Sequence, residues 1–189
     1  MYFASKVAGF VAVACLVGGC STAPKTTEAR QDLQADSRSA VNSMAAKDAT
    51  FQSFLDRAYG YAVYPNVGKG GAVVGGAYGK GILYEQGRQV GYTDLTQASA
   101  GAQLGGQAYR EVIVFENASA LDKVKKGTYS LGAEVSAVIL KSGAARETRF
   151  KDGVAVFVQP KAGAMAEASV SGQKLSYKPV SDVEATSTR

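Results

Sequence analysis

The stretch GYAVYPNVGKGGAVVGGAYGKGILYEQG, residues 60–87, decides the fold, because it combines a high density of glycine with residue types that favour β-structure. From Gly68 to Gly81, seven of the fourteen residues are glycine. A flexible linker combines glycine with serine and other polar residues, whereas Val73 and Tyr78 are of the β-branched and aromatic types that suit a pleated, half-buried surface. Glycine inside a strand marks a bulge, a bend or a close approach of another backbone. The stretch therefore predicts strands of a strongly curved sheet.

Two lysines of this stretch, Lys69 and Lys80, each stand between glycines. Lys69 is followed by Gly70 and Gly71, whose exposed backbone N–H groups could join the ammonium group in holding an anion. The same arrangement is typical of a solvated turn, because charged side chains are mostly exposed. The residues alone leave both interpretations open.

Nucleotide-binding motifs do not fit the spacing of these glycines. A Walker loop needs Ser or Thr directly after its Gly-Lys pair, but Gly81 follows Lys80. The dinucleotide pattern GxGxxG starts at Gly68 and Gly70 and then meets Val73 where its third glycine is required.

Two strings of the chain, YAVYPNVGKGGAVVGGAYGKGILY (61–84) and GAQLGGQAYREVIVFEN (101–117), resemble the SYLF family of lipid-binding domains. The likeness runs from about Phe54 to Tyr177, with a divergence at Ala72, where many members have an aromatic residue. The resemblance implies a domain that binds phosphoinositides or other anionic phospholipids without catalysis, and it implies a sheet that approaches a barrel. Actin binding, known for eukaryotic relatives, is not carried over, since the chain has the features of an exported bacterial protein.

Those export features lie in residues 1–19, where Lys6 precedes an apolar run and small residues follow. The run is too short to span a bilayer. Residues 16–20, LVGGC, resemble the lipobox of bacterial lipoproteins, which implies removal of residues 1–19 and lipidation of Cys20. Cleavage after Ala23 is the alternative, and it is disfavoured because Pro24 would follow the cleaved bond. By the same resemblance, Ser21 favours sorting to the outer membrane.

The inventory of side chains excludes several kinds of chemistry. The chain has no histidine and two cysteines, of which Cys15 lies in the predicted signal segment and Cys20 would carry lipid. Nucleophilic triads and ordinary zinc or haem ligand sets are therefore ruled out, and we expect no cofactor, no metal and no enzymatic activity. The carboxylates that could in principle form an acid and base pair are Glu85, Asp94, Glu111, Glu116 and Glu134. Their spacing singles out no two of them.

The charge balance favours an anionic surface as partner. The formal net charge is +5, from 21 basic and 16 acidic residues, and loss of Lys6 with the signal segment leaves +4. Nucleic acid is a weaker candidate than membrane lipid, because the basic residues are scattered and no nucleic-acid motif is present. Each basic residue near an anionic membrane contributes about 1 kcal/mol.

The rest of the chain predicts an α+β domain. Thr26 or Thr27 can cap a first helix, and a second helix over 49–58 carries an apolar face that includes Phe51 and Phe54. Such a face packs on a sheet more often than on a membrane, which is the alternative that the family resemblance suggests. A short helix capped by Asn117 or Ser119 would hold Lys123, Lys125 and Lys126, which suit the dipole of its C-terminus. Strands follow near 135–140 and 154–159, and a hairpin is predicted about Ser171 and Gly172.

Together these observations predict four segments: a signal peptide (1–19), a lipidated cysteine with a tether (20–27), the lipid-binding domain (28–179) and a flexible tail (180–189). The fold class is α+β, with a glycine-rich, strongly curved antiparallel sheet, N-terminal helices and one short helix between strands. We expect binding of anionic lipid headgroups; the alternative is a cell-envelope scaffold that binds a protein partner. The predicted headgroup site consists of Lys69, Gly70, Gly71, Lys80, Arg88 and Arg110.

Overall fold

The computed structural model describes residues 22–187 except for 72–73, 101–104, 128, 133, 163–169 and 171. The predicted signal peptide and Cys20 lie outside the described residues, as does Ala72. The helices are α1 (Thr27–Lys47), α2 (Ala49–Asp56), α3 (Ala118–Lys125), α4 (Ala144–Glu147) and α5 (Val180–Ser187). The strands are β1 (Gly60–Gly71), β2 (Val74–Glu85), β3 (Arg88–Ala100), β4 (Gly105–Phe115), β5 (Tyr129–Ser130), β6 (Ala137–Ile139), β7 (Val154–Ala162) and β8 (Lys174–Pro179).

Within the described residues these strands form one eight-stranded sheet in the order β5-β8-β3-β2-β1-β4-β7-β6. All neighbours are antiparallel except β6 and β7, which are parallel. The predicted α+β class with a strongly curved sheet is therefore confirmed, whereas the prediction of a purely antiparallel sheet is corrected at this edge. The two edge strands, β5 and β6, are not paired with each other in the part of the chain described, so the sheet is a half-barrel that does not close.

The glycine-rich stretch forms the central hairpin of this sheet. A register shift in β1 between Val63 and Asn66 marks a bulge around Pro65, which has no N–H to donate to a ladder. In β2, a Cβ atom at Gly81 would lie 2.5 Å from the carbonyl oxygen of Val63. Only glycine permits this approach, so the close contact of backbones predicted for the stretch is found at Gly81, whereas a Cβ atom at Gly68 would meet open space. The hairpin between β2 and β3 turns at Gln86 and Gly87, both with positive φ, as a tight two-residue turn requires.

The sheet has two faces that differ in what covers them. The inner face packs against α3 and the segments around Leu131 and Val170, and carries alternate residues of β4 such as Ile113 and Phe115. The outer face is covered by α1, α2 and α4 over β1, β4 and β7, where Phe51 and Phe54 of α2 pack edge-on against Phe157. The apolar face of α2 is thus core, as the commoner of its two interpretations predicted.

Helix ends follow the local chemistry of the sequence. The hydroxyl of Thr26 accepts a hydrogen bond from the N–H of Ala29 and caps α1, and Asn117 caps α3 in the same way. Asp48 caps α2, and its second carboxylate oxygen accepts a bond of 2.8 Å from the N–H of Ala145 in α4. The sequence predicted the first two caps and missed both the role of Asp48 and helix α4.

Strand β8 pairs with β3 and β5 and not with the preceding strand β7. The hairpin predicted about Ser171 and Gly172 includes Ser171 and residues before it that lie outside the described part of the chain. Two further predictions are corrected. Most of the segment predicted as a flexible tail forms α5, where Val183 is buried against the sheet. Within the predicted tether, Ala23 is 3% exposed, because it packs against the same outer face of the sheet.

Candidate functional site

Two rows of polar side chains lie next to each other on the outer face of β2, β3 and β8. Residues directly opposite one another in neighbouring strands project from the same face. Going across β2, β3 and β8, the first row is Lys80, Asp94 and Ser176, and the second row is Tyr78, Thr96 and Lys174. One sheet face therefore carries two cations, a carboxylate and three hydroxyl-bearing side chains in adjacent positions.

Except for Lys80, the residues of these rows line an open cleft with a volume of about 500 Å³. This size lies within the range of small-molecule sites. The cleft is also lined by Tyr129 and Ser130 of the edge strand β5 and by Thr22, which precedes α1. Tyr78 is 41% exposed at its rim and is the large hydrophobic side chain that stands out to solvent among the described residues. We refer to this feature as the β8 cleft.

Asp94 is the electrostatic centre of the β8 cleft. It is 6% exposed, and burial raises its pKa even though Lys80 opposes this effect. The ammonium nitrogen of Lys80 lies 3.5 Å from Oδ1 of Asp94, and the hydroxyl of Tyr78 lies 3.4 Å from the same oxygen. Burial alone would lower the pKa of Lys80, but the hydrogen bond with Tyr78 and the charge of Asp94 raise it overall. Lys80 therefore keeps its charge and compensates the carboxylate.

The beginning of the described chain is attached to this cleft. The hydroxyl of Thr22 lies 3.3 Å from that of Ser176, and a hydrogen bond between Thr22 and Asp94 partly opposes the rise that burial causes in the pKa of Asp94. Ala23 packs against Ile82 and the neighbouring outer-face cluster. Thr22 and Ala23, two and three positions after the predicted lipidation position, are therefore held at one side of the β8 cleft.

The structure does not bring the predicted headgroup residues together. Lys69 pairs with Ala77, and Ala77 lies three positions before Lys80 in β2, so the two lysines project from opposite faces of the sheet. Arg88 stands at the turn between β2 and β3, at the far end of the hairpin from Lys69. Arg110 projects from the outer face of β4 and donates to Oε1 of Gln159, 3.3 Å away. Of the six predicted residues, Lys80 alone lies beside the β8 cleft, through its ion pair with Asp94, and none of the six lines the cleft itself.

The neighbouring glycines Gly70 and Gly71 pair with Gly76 and Gly75 of β2 and with Gly106 and Gly105 of β4. Their backbone groups take part in the sheet ladder. They do not form the free loop on which an anion-binding nest depends.

Lys69 faces instead a buried polar cluster of the inner face. Glu111 and Gln173 are both 0% exposed, and Nε2 of Gln173 donates to Oε2 of Glu111 at 3.1 Å. Oε1 of each of these two side chains has no hydrogen-bond partner among the described residues. Burial raises the pKa of Glu111 to about 8, although the bond from Gln173 and the charge of Lys69 lower it somewhat. Glu111 is therefore an uncharged acid at neutral pH.

The remaining basic cluster has a structural role. Lys125, in the last turn of α3, donates to Oε2 of Glu85 at 2.7 Å, which ties the helix to the end of β2. Lys123 lies in the same turn, as the dipole argument predicted. Lys126 is the residue that ends the helix.

The sequence missed the importance of Asp94 and Glu111. The spacing of the carboxylates in the sequence singles out neither of them, and in the structure they project from opposite faces of the sheet, so they do not form an acid and base pair with each other. The signal that could have found Glu111 is the alternation in β4, where it shares a face with Tyr109 and Ile113. Among the described residues, no group of three Cys, Asp or Glu side chains is arranged to hold a metal ion.

Comparison with known proteins agrees with the resemblance noted in the sequence. Residues 96–181 match the family model Ysc84, described as Las17-binding protein actin regulator. Beta cell expansion factor A from Aeromonas veronii is 27% identical over 155 residues, which cover 80% of this chain and 58% of that protein. The chain thus corresponds to little more than half of the length of this relative. No helix in the described part of the chain has both the length and the apolar character needed to cross a membrane.

Proposed function

Because residues 96–181 belong to the SYLF family, we propose that this protein is a membrane-anchored lipoprotein whose domain binds the headgroups of anionic phospholipids without catalysis. The anchor would be a lipid on Cys20, which implies a location in the bacterial cell envelope, with the outer membrane favoured by Ser21. The description of the family model, Las17-binding protein actin regulator, refers to other proteins of the family, and actin regulation is not part of this proposal.

The observation that carries this proposal is the attachment of Thr22 and Ala23 to the outer face of the sheet. Two residues of extended chain reach at most about 7 Å. A lipid on Cys20 would therefore enter the bilayer close to the β8 cleft, and the cleft would face the membrane surface. A domain on a long flexible tether would have no such preferred orientation.

Charge supports the same orientation. The chain from residue 20 onward has a formal charge of +4. Lys174 is exposed at the β8 cleft, and Lys80 is partly exposed beside it. Each basic side chain close to an anionic surface contributes about 1 kcal/mol at low ionic strength, and salt screens this attraction.

The scaffold alternative is less well supported. A protein-docking surface should present a contiguous apolar patch of several hundred Å² without basic neighbours. Tyr78 is the exposed large hydrophobic residue of the described chain, and the ammonium of Lys80 lies 5.9 Å from its ring centre. An aromatic side chain with an adjacent cation suits the interface of a membrane better than the core of a protein interface.

Flotation with vesicles tests the lipid-binding part of the proposal. A chain that starts at Ser21 retains the residues that the structure describes and lacks the anchor. We expect it to float with phosphatidylglycerol-containing vesicles, to float less as salt is raised, and to remain behind with pure phosphatidylcholine vesicles. Equal flotation with both kinds of vesicle would refute a preference for anionic headgroups.

Cell fractionation tests the anchor separately. Cys20→Ala removes the thiol to which the lipid would be attached, so we expect soluble or unprocessed protein in place of a membrane-bound form. If the processed Cys20→Ala protein were still recovered with the membranes, the lipid anchor would be refuted. Recovery of the unmodified protein in the inner membrane would refute only the sorting to the outer membrane.

A further inference from the structure

We propose that the β8 cleft is a headgroup site for a phosphate group joined to a polyol, the chemistry of phosphatidylglycerol. This inference rests on the proposed function and makes it more specific, because attraction to an anionic surface requires only net charge and selects no headgroup. The cleft combines a carboxylate, an exposed lysine and several hydroxyl groups on one face of three strands.

Asp94 indicates the polyol part of the ligand. A carboxylate only accepts hydrogen bonds, and it repels a phosphate, so a purely anionic ligand gains nothing beside Asp94. A cationic ligand would compete with Lys80, which already lies 3.5 Å from Oδ1 of Asp94. The carboxylate also accepts hydrogen bonds from the hydroxyl groups of Tyr78, at 3.4 Å, and of Thr22, so hydroxyl groups are donors that suit this site. The two oxygens of a carboxylate have about four lone-pair sites, and a hydrogen bond from a ligand's hydroxyl group to a carboxylate is stronger than one between neutral groups.

Lys174 indicates the phosphate part. It lies one row away from Asp94 on the neighbouring strand, a diagonal pair in the sheet. The backbones of such pairs are roughly 7–8 Å apart, so the ammonium group of the long Lys174 side chain and the carboxylate of Asp94 can both reach one small ligand in the cleft. Lys174 is exposed and has no carboxylate within ion-pair distance in the described part of the chain, so its charge is available for a phosphate.

The hydroxyl groups of Thr22, Thr96 and Ser176 complete the cleft between these two ends. Each can both donate and accept, so they can bond to phosphate oxygens on one side and to polyol hydroxyls on the other. Thr22 also connects the site to the anchor, because it is two residues from Cys20. A headgroup in the leaflet that holds the anchor is therefore within reach of the cleft.

The test compares two anionic lipids that differ in the polyol. Vesicles of phosphatidylcholine with either phosphatidylglycerol or phosphatidic acid are matched in surface potential, and binding of the chain that starts at Ser21 is measured by flotation. We expect phosphatidylglycerol to bind about tenfold better, the scale of one charge-assisted hydrogen bond. Asp94→Asn should abolish this preference, and Lys174→Gln should weaken binding to both lipids.

Lys141→Gln is the matched control, since Lys141 is exposed beyond β6 at the opposite edge of the sheet and its loss lowers the net charge equally. It should leave the preference unchanged. Thermal unfolding verifies that each variant is folded, and Thr96→Val, at an exposed position of the same cleft, replaces Asp94→Asn if that variant does not fold.

Equal binding of the two anionic vesicles by the unmodified chain would overturn the polyol assignment and leave the proposed function intact. Failure to bind either one would overturn the proposed function itself. Titration with soluble glycerophosphoglycerol, followed by NMR, distinguishes the source of the ligand. If the soluble compound saturated the cleft while phosphatidylglycerol vesicles did not bind, the site would be one for a soluble phosphodiester and the membrane assignment would be wrong.

Discussion

Replacement of Glu111 by glutamine should make the protein more stable at neutral and alkaline pH. Glu111 lies on the inner face of β4 and is fully buried, and burial raises its pKa to about 8. A buried carboxyl group with such a pKa is protonated in the folded protein at pH 7, whereas in the unfolded chain it is ionised above its ordinary value of 4.5. Glutamine resembles the protonated acid in shape and cannot ionise.

The sign and size of the effect follow from proton linkage. Between about pH 5 and pH 8 the folded state binds one more proton at this site than the unfolded state, so stability falls as pH rises. The slope is about 1.4 kcal/mol for each pH unit, which gives a loss of about 4 kcal/mol across this window. Below pH 4.5 both states are protonated and this loss is absent. Glu111→Gln should remove the loss and keep the bond from Gln173, whose own unpartnered oxygen can accept from the new amide.

Urea unfolding at pH 5 and pH 8, followed by circular dichroism, measures this difference directly. Glu116→Gln, at an exposed position just after the same strand, controls for the loss of one carboxylate. We expect Glu111→Gln to be close to the unmodified protein at pH 5 and more stable by several kcal/mol at pH 8. The reasoning is refuted if the two proteins lose stability in parallel from pH 5 to pH 8.

Two further predictions concern the framework of the fold. Asp48→Ala should lower the free energy of unfolding by about 2–4 kcal/mol, because it removes the cap of α2 and the bond to Ala145. Burial acts to raise the pKa of Asp48, but its hydrogen bonds lower the pKa overall. The loss of stability in Asp48→Ala should therefore become smaller as pH falls below the ordinary value of 3.8. A loss of stability that stays the same in acid denaturation curves would contradict the capping role of the Asp48 carboxylate. Gly81→Ala should destabilise the protein by about 1–3 kcal/mol in thermal unfolding, because the added Cβ would lie 2.5 Å from the carbonyl oxygen of Val63. Gly68→Ala is the control and should be tolerated, since the added atom would meet open space. Equal effects of the two substitutions would refute the argument from close approach.

The fold was largely predictable because its signals are local. Alternation and residue type identified β1, β2 and the buried part of β4, and side-chain oxygens at Thr26 and Asn117 identified helix starts. The pairing of β8 was not predictable, since it joins residues about 80 positions apart in sequence, such as Asp94 and Ser176. Long-range pairing depends on the whole sheet and leaves no mark in a window of ten residues.

The site was less predictable for a related reason. Side chains alternate between the two faces along each strand, so whether two lysines on paired strands share a face depends on the register of the pairing. Lys69 and Lys80 belong to different strands, β1 and β2, which are joined by residues outside the described part of the chain. The sequence shows that both stand between glycines but does not give the register between β1 and β2. The contribution of Thr22 was also hidden, because a short polar segment with proline has the composition of a tether.

The repeated Gly-Lys-Gly unit therefore has two different functions in one hairpin. Each lysine is placed toward a buried carboxyl group: Lys69 toward Glu111 on the inner face and Lys80 toward Asp94 on the outer face. On the inner face burial dominates and the acid stays neutral, so this side of the sheet remains a core. On the outer face the ammonium of Lys80 lies 3.5 Å from the carboxylate, and the pair opens onto solvent through the β8 cleft. Lys80 is thus the one of the two lysines whose carboxylate partner lines the β8 cleft, whereas the carboxyl partner of Lys69 is buried in the core.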